Sequence, residues 1–224
     1  MKYNSFLETM DKLLGENGCP WDLEQTHESL RPYLLEECYE TIEAINNNDM
    51  DSLKEELGDV LLQVVFHAKL AEKSGAFTLD DVIDTITQKL ISRHSHIFGT
   101  DKANSPTEVL KVWEANKKKE QPRSTTQAMQ AVPKALPALE RAAKVLKRSG
   151  KETPSLETLH KGINADLQAL AEPCSKAFEI YGNILIQMVN LSAFLGVNAE
   201  FSLTNAVEGF INTNSAENPA SSGL

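Results

Sequence analysis

The chain has 224 residues, 41% of them hydrophobic and 24% charged, which is the composition of one or two soluble globular domains with enough length to bury a core. Its formal net charge of −10 excludes nonspecific attraction to nucleic acid through bulk charge. An acidic chain that binds an anionic ligand needs a local cationic cluster or a metal ion.

The N-terminal stretch MKYNSFLETMDKLL is amphipathic and carries two acids, unlike a signal peptide. No run of about 18 consecutive apolar residues occurs, so no membrane span is expected. Cys19, Cys38 and Cys174 are scattered without C-x-x-C spacing, which points to a reducing compartment, the cytoplasm. The stretch from Gly15 to Pro32 reads as a loop that leads into a helix near Arg31, and Tyr33 to Ile45 is helical. Asn46 to Ser52 is a turn. Ser52 with Glu55 forms a possible capping box for the next helix, with Asp49 and Asp51 as alternative caps. That helix runs to about Glu72 and stops at Gly75. Thr78 with Asp81 opens a third helix, to about His96. Ser105, Pro106 and Glu108 open a fourth. Residues 121–137 are rich in Pro, Ser, Thr and Gln and read as a linker. Helical patterns return from Ala138 to Arg148 and from about Ser155 to Ile211, and residues 213–224 read as a disordered tail. Strand signals are scarce, so the fold class is all-α.

Glu36, Glu37, Glu40 and Glu43 crowd one arc of the Tyr33–Ile45 helix, opposite Leu34, Leu35, Cys38, Ile42 and Ile45. Alone, that is an ordinary solvated acidic face. The following helix is different. Leu53, Leu57, Val60, Leu61, Leu62, Val64, Val65 and Phe66 cover nearly its whole circumference, so it is expected to be buried on several sides. Into it fall Glu56, Asp59 and Gln63, spaced i, i+3, i+7, as a narrow polar stripe. Buried carboxylates need cations or they protonate. A short turn makes the two helices antiparallel neighbours. If it centres on Asn48, Glu40 and Glu56 lie equally far from it along the chain, as do Glu37 and Asp59. Two carboxylates from each helix then converge on one point, and an oxygen-only cluster suits Mg²⁺ or Mn²⁺. A di-iron bundle is disfavoured. Its Glu-x-x-His motifs, Glu24 with His27 and Glu157 with His160, do not lie on the hairpin that carries the acids.

Lys89 and Arg93 extend the apolar seam of Val82 and Ile86 on the third helix. They are either snorkelling side chains or a phosphate clamp. Trp113 and Lys117 share i, i+4 spacing on the fourth helix and are core packing with a dipole-facing lysine, or a platform for a base. A carboxylate–metal centre ringed by cations and an indole matches a polyphosphate that carries an aromatic base. His94 and His96 lack metal-ligand spacing to the acids and read as structural. No glycine loop of the P-loop kind is present.

The sequence also echoes itself. EELGDVLLQVV (Glu55–Val65) resembles EIYGNILIQMV (Glu179–Val189), pairing Gly58 with Gly182 and Gln63 with Gln187. In the second copy Asn183 replaces Asp59 and Ile180 replaces Glu56. The first-helix acids fall on Ala165, Asp166 and Ala169, and no Lys or Arg follows Lys176. The second half, residues 138–212, is therefore expected to be structural.

The blocks GCPWD, EQTHESLRPYLLEE, EELGDVLLQVVFHA and KLISRHSHIFG together closely resemble the MazG nucleoside triphosphate pyrophosphohydrolases. The family's EExxE and ExxD signature is met by Glu36, Glu37 and Glu40, then by Glu56 and Asp59. The resemblance is strong over residues 1–120 and weak beyond. It implies an all-α fold of tandem repeats, Mg²⁺ dependence, homodimerisation, and cleavage of NTPs or dNTPs to the monophosphate and pyrophosphate. It implies metal ligands at Glu37, Glu40, Glu56 and Asp59, with Glu36 a further ligand or the water-activating base. It implies nucleotide contacts at Lys89, Arg93, Trp113 and Lys117. Ser92 and Ser95 stand where the family commonly has Arg and Pro. The competing expectation is a helical nucleotide- or protein-binding scaffold without turnover.

Overall fold

The computed structural model describes residues 2–120, 122–171 and 175–216, and among these every regular element is a helix. They divide into two compact units, residues 1–117 and 118–224.

The first unit is built on a helical hairpin. Helix α1 (Lys2–Leu13) and the single turn α2 (Pro20–Leu23) precede it. Its arms are α3 (Arg31–Asn46) and α4 (Met50–Lys73). Pro32 sits in the first turn of α3, where its missing N–H is not needed. The turn is centred on Asn48, the one non-glycine residue with positive φ (54°) among the described residues. Of the alternative caps it is Asp49 that opens α4, accepting from the backbone N–H groups of Asp51 and Ser52. Met10, Leu14, Leu30, Val65 and Phe66 form the buried core between α1, the start of α3 and the middle of α4. Burial of Val65 and Phe66 contributes about 1.5–3 kcal/mol each. The turn at Gly75, with φ of 71°, leads to α5 (Leu79–Arg93), whose capping box of Thr78 and Asp81 forms as expected. The helix ends at Arg93 and not at His96. His94 leaves helical geometry, and Ser95–Phe98 is a separate turn, α6. Helix α7 (Pro106–Glu120) follows, with Ser105 accepting from Glu108 N.

Residues 15–32, expected as loop, contain α2. The expectation that α4 is covered all round needs correction within one chain. Leu57, Leu61 and Val64, at i, i+4, i+7, are 52%, 44% and 40% exposed. On α5, Ile83, Ile86 and Leu90 are exposed as well.

In the second unit, residues 125–130 inside the expected linker form α8 (Thr125–Gln130), closed by a capping box of Ser124 and Gln127. Then come α9 (Ala138–Arg148), α10 (Leu156–Ala169), α11 (Ala177–Leu195) and α12 (Ala199–Ala216). Helices α9 and α10 pack on α11, and α12 on α9 and α11. Helix α12 continues beyond residue 212, and the rest of the expected tail, 217–224, lies outside the described residues, as does Cys174. Among the described residues α11 alone is long and apolar enough to cross a membrane, with a mean hydropathy of 1.2. It also carries Asn183, Gln187 and Asn190 along one stripe and packs as a bundle helix.

Candidate active site

The hairpin brings the two acidic rows together. Ligand-capable oxygens of Glu37, Glu56 and Asp59 all lie within 4.8 Å of one another, and the three side chains are half-buried. Glu37 comes from α3 and the other two from α4, as the equal spacing about Asn48 requires. Glu40 stands beside this group and hydrogen-bonds Glu56. Glu36 is exposed and reaches the cluster through its charge on Glu37.

The electrostatics are those of crowded like charges. Loss of hydration pushes the Glu37 carboxyl above its ordinary value, and the charges of Asp59, Glu40, Glu56 and Glu36 add to it. Glu56 is raised by loss of hydration first, then by Glu40, Asp59 and Glu55, and by the hydrogen bond to Glu40. Every charge that moves these two groups is a carboxylate. Such a cluster is relieved by a divalent cation, and its all-oxygen donor set fits a hard ion. Gln63 continues the stripe. It is 6% exposed, and its Oε1 is buried without a partner.

The cationic residues fall into two groups. Arg93 lies over the Trp113 ring at 5.3 Å, and His94 meets the same ring edge-on at 4.8 Å. The His94 Nδ1 also lies 2.8 Å from the Leu90 carbonyl oxygen, in keeping with a structural role. The end of α5 and the middle of α7 thus meet through an Arg–Trp–His cluster. Lys89 and Lys117 are exposed.

Sequence reasoning missed one pair. His27, before α3, and His67, on α4, place their Nδ1 atoms 2.8 Å apart. Their rings are parallel within 5°, with centroids 5.1 Å apart. The nitrogen separation plus one ring radius on either side accounts for the whole centroid distance, so the rings meet edge to edge in one plane. That is an N–H···N bond, one nitrogen donating and the other accepting. Burial, then the charge of His27, pushes the His67 pKa down. No periodicity marks this pair, because His27 lies outside any helix.

In the second unit α11 carries the sequence echo of α4 and packs against α10. There Gln187 Nε2 donates to Asp166 at 2.6 Å. A Cβ at Gly162 would collide with the Gln187 amide oxygen, so glycine there permits the close approach. Asn183 and Ile180 occupy the places of Asp59 and Glu56.

Residues 25–98 match the model of the MazG nucleotide pyrophosphohydrolase domain. The chain is 42% identical over 214 residues to a nucleoside triphosphate pyrophosphohydrolase/pyrophosphatase MazG of Thermotoga maritima, covering 93% of this chain and 82% of that protein. It is 39% identical over 207 residues to a nucleoside triphosphate pyrophosphohydrolase of Escherichia coli, covering 87% and 78%. The crystal structure of a mazG-related protein from Thermotoga maritima aligns with 51% of this chain and 98% of its own at 30% identity, with a TM-score of 0.45. Matched at this identity along most of both lengths, the chain belongs to the MazG family.

Proposed function

We propose that the chain hydrolyses nucleoside triphosphates, NTP or dNTP, to the monophosphate and pyrophosphate at the carboxylate cluster of α3 and α4. The observation that carries this is the convergence of Glu37, Glu56 and Asp59 from two helices. The residues that would hold the metal are Glu37, Glu40, Glu56 and Asp59. Mg²⁺, or Mn²⁺ in its place, supplies charge neutralisation and orientation of the polyphosphate when bound. Glu36, at the exposed edge of the row, takes the proton of the attacking water. The water oxygen bonds to phosphorus at the α–β linkage, the bridging P–O bond breaks, and pyrophosphate leaves. Lys89, Arg93 and Lys117 hold the phosphates. Trp113, already seated against the Arg93 cation, holds the base.

A second copy of the chain covers the exposed row of Leu57, Leu61 and Val64, which makes the enzyme a homodimer. The second unit is a degenerate repeat that buries apolar surface and does not turn over substrate. The setting is the cytoplasm, a reading that the free thiols of Cys19 and Cys38 support. Neither nucleic acid nor a membrane is a partner, given the acidic charge and the polar stripe of Asn183, Gln187 and Asn190 on α11.

The test is incubation of purified protein with each NTP and Mg²⁺, followed by product analysis. Pyrophosphate and monophosphate are expected. Orthophosphate as the product, or activity that survives Glu37→Ala together with Asp59→Ala, refutes the proposal.

A further inference from the structure

Helix α7 carries Trp113 and Lys117 without an apolar seat of its own. The helix packings of the first unit join α1 to α4, α3 to α4, α4 to α5 and α5 to α6. Among the described residues α7 has no comparable packing, and it buries none of its side chains. The place of a helix that lacks a face in the core is set by its polar and aromatic contacts.

Those contacts come from three consecutive residues where α5 ends and α6 begins. Arg93 lies over the Trp113 ring and His94 meets its edge. Ser95 reaches one turn further along α7, where Asn116 Nδ2 donates to its Oγ at 2.6 Å in a half-buried bond. The same hydroxyl donates to Asp101 Oδ2 at 2.5 Å, in the loop that leads to α7. One oxygen, accepting from the helix and donating to the loop, ties three segments together. Asn116 stands three residues after Trp113 and so on the same face of α7. Ring contacts are broad in direction, whereas a short hydrogen bond one turn away restricts how the helix can slide or roll.

We propose that Ser95 is a positioning residue for the nucleotide base: its hydroxyl, through Asn116, fixes α7 and with it the height and tilt at which Trp113 is presented. The inference rests on the seat for the base given to Trp113 above. The base lies away from the α–β linkage where bonds change. Loss of the clamp therefore removes binding common to ground and transition states, which raises KM and leaves kcat.

Ser95→Thr and Ser95→Val form the test pair, because the two new side chains share a shape and differ in the hydroxyl. Ser95→Val should raise the KM for NTP about two- to tenfold, the range for one lost hydrogen bond, with kcat and Mg²⁺ affinity as in the wild type. Ser95→Thr should keep the wild-type KM. Asn116→Leu should reproduce Ser95→Val, and the double variant should be no worse than either, since both remove the same bond. A second readout needs neither nucleotide nor metal. In a Trp21→Phe background Trp113 is the sole tryptophan, and acrylamide should quench its emission more readily in Ser95→Val than in Ser95→Thr. Thermal melts establish folding, and Asn116→Leu decides the matter if Ser95→Val does not fold. Equal KM or equal quenching in the Thr and Val variants, additive losses in the double variant, or a fall in kcat together with Mg²⁺ affinity overturns the inference. A wild type that releases no pyrophosphate refutes the hydrolase reading instead, and the quenching comparison then decides the clamp by itself.

Discussion

The two helix pairs, α3–α4 and α10–α11, share an apolar pattern but differ in their polar stripe and in the cap that opens the second helix. Gly58 and Gly182 hold equivalent places on α4 and α11, and a Cβ at either would meet open space. Leu57, Leu61 and Val64 are matched by Tyr181, Leu185 and Met188, and all six are exposed. The polar stripe diverges. On α4 it reads Glu56, Asp59, Gln63, facing Glu37. On α11 it reads Ile180, Asn183, Gln187, and the one acid left at the matched positions of the facing helix, Asp166, is tied to Gln187. The packing pattern tolerates loss of the acids because the apolar faces hold the helices together. A charged cluster contributes nothing to that packing and is itself a strain, as the raised Glu37 and Glu56 show.

The largest expected effect comes from making the first hairpin like the second. Asp59→Asn copies Asn183 and removes one anionic ligand. Pyrophosphate release with Mg²⁺ should fall on the order of 10²-fold or more, about 3 kcal/mol in the barrier. The reverse graft, Ile180→Glu with Asn183→Asp, should gain no activity, because Ala165 and Ala169 still lack carboxylates. Measurable activity from the graft in an Asp59→Asn background would show that three acids, the two introduced and Asp166, suffice.

Next is the response to metal and pH. Glu37 and Glu56 have folded-state pKa values raised above the ordinary carboxylate value of 4.5. The folded first unit therefore holds these protons more tightly than the unfolded chain. Their contribution to metal-free stability is full below about pH 4.5 and is lost as pH rises through the raised values. Mg²⁺ at a hundred times its Kd should then stabilise the unit by about 2.7 kcal/mol at neutral pH, and by less as the site protonates. Thermal melts across pH, with and without Mg²⁺, read both trends. A Mg²⁺ shift that survives in Glu37→Ala with Asp59→Ala would place the ion elsewhere.

The matched glutamines give a smaller and opposite pair of effects. Gln187→Leu removes the donor of the half-buried Asp166 and should cost about 1–3 kcal/mol. Gln63→Leu removes a buried amide whose oxygen already lacks a partner, so its stability should be nearly unchanged. Urea unfolding of both variants measures the contrast, and equal losses would erase it.

Much of the first hairpin was legible because its determinants are local. The Asn48 turn, the acidic rows equidistant from it, and the Thr78–Asp81 box are all matters of spacing along one segment. What escaped depends on contacts between segments. The His27–His67 bond joins a loop to a helix across the fold. The break after Arg93 comes in a stretch whose periodicity continues, where His94 and Arg93 both turn onto Trp113 of α7. The exposure of Leu57, Leu61 and Val64 could not be read from their apolarity, which states that they need cover but not which chain supplies it.

The caps of the two long helices offer the finest comparison. Asp49 accepts from Asp51 N and Ser52 N, both at 3.1 Å, and its carboxylate also takes the Ser52 hydroxyl at 2.8 Å. These bonds hold the Asp49 pKa below the usual value, the Ser52 hydroxyl first. At the start of α11 the equivalent place is Lys176, whose side chain caps nothing. Asp49→Ala should therefore lower stability measurably, whereas Lys176→Ala should leave it almost unchanged. Because the Asp49 cap fixes where α4 begins, it also sets the height of Glu56 and Asp59 against Glu37 and Glu40. Asp49→Asn, which keeps a capping oxygen, should restore both stability and Mg²⁺ affinity. A Mg²⁺ affinity unchanged in Asp49→Ala would separate the turn from the register of the metal site.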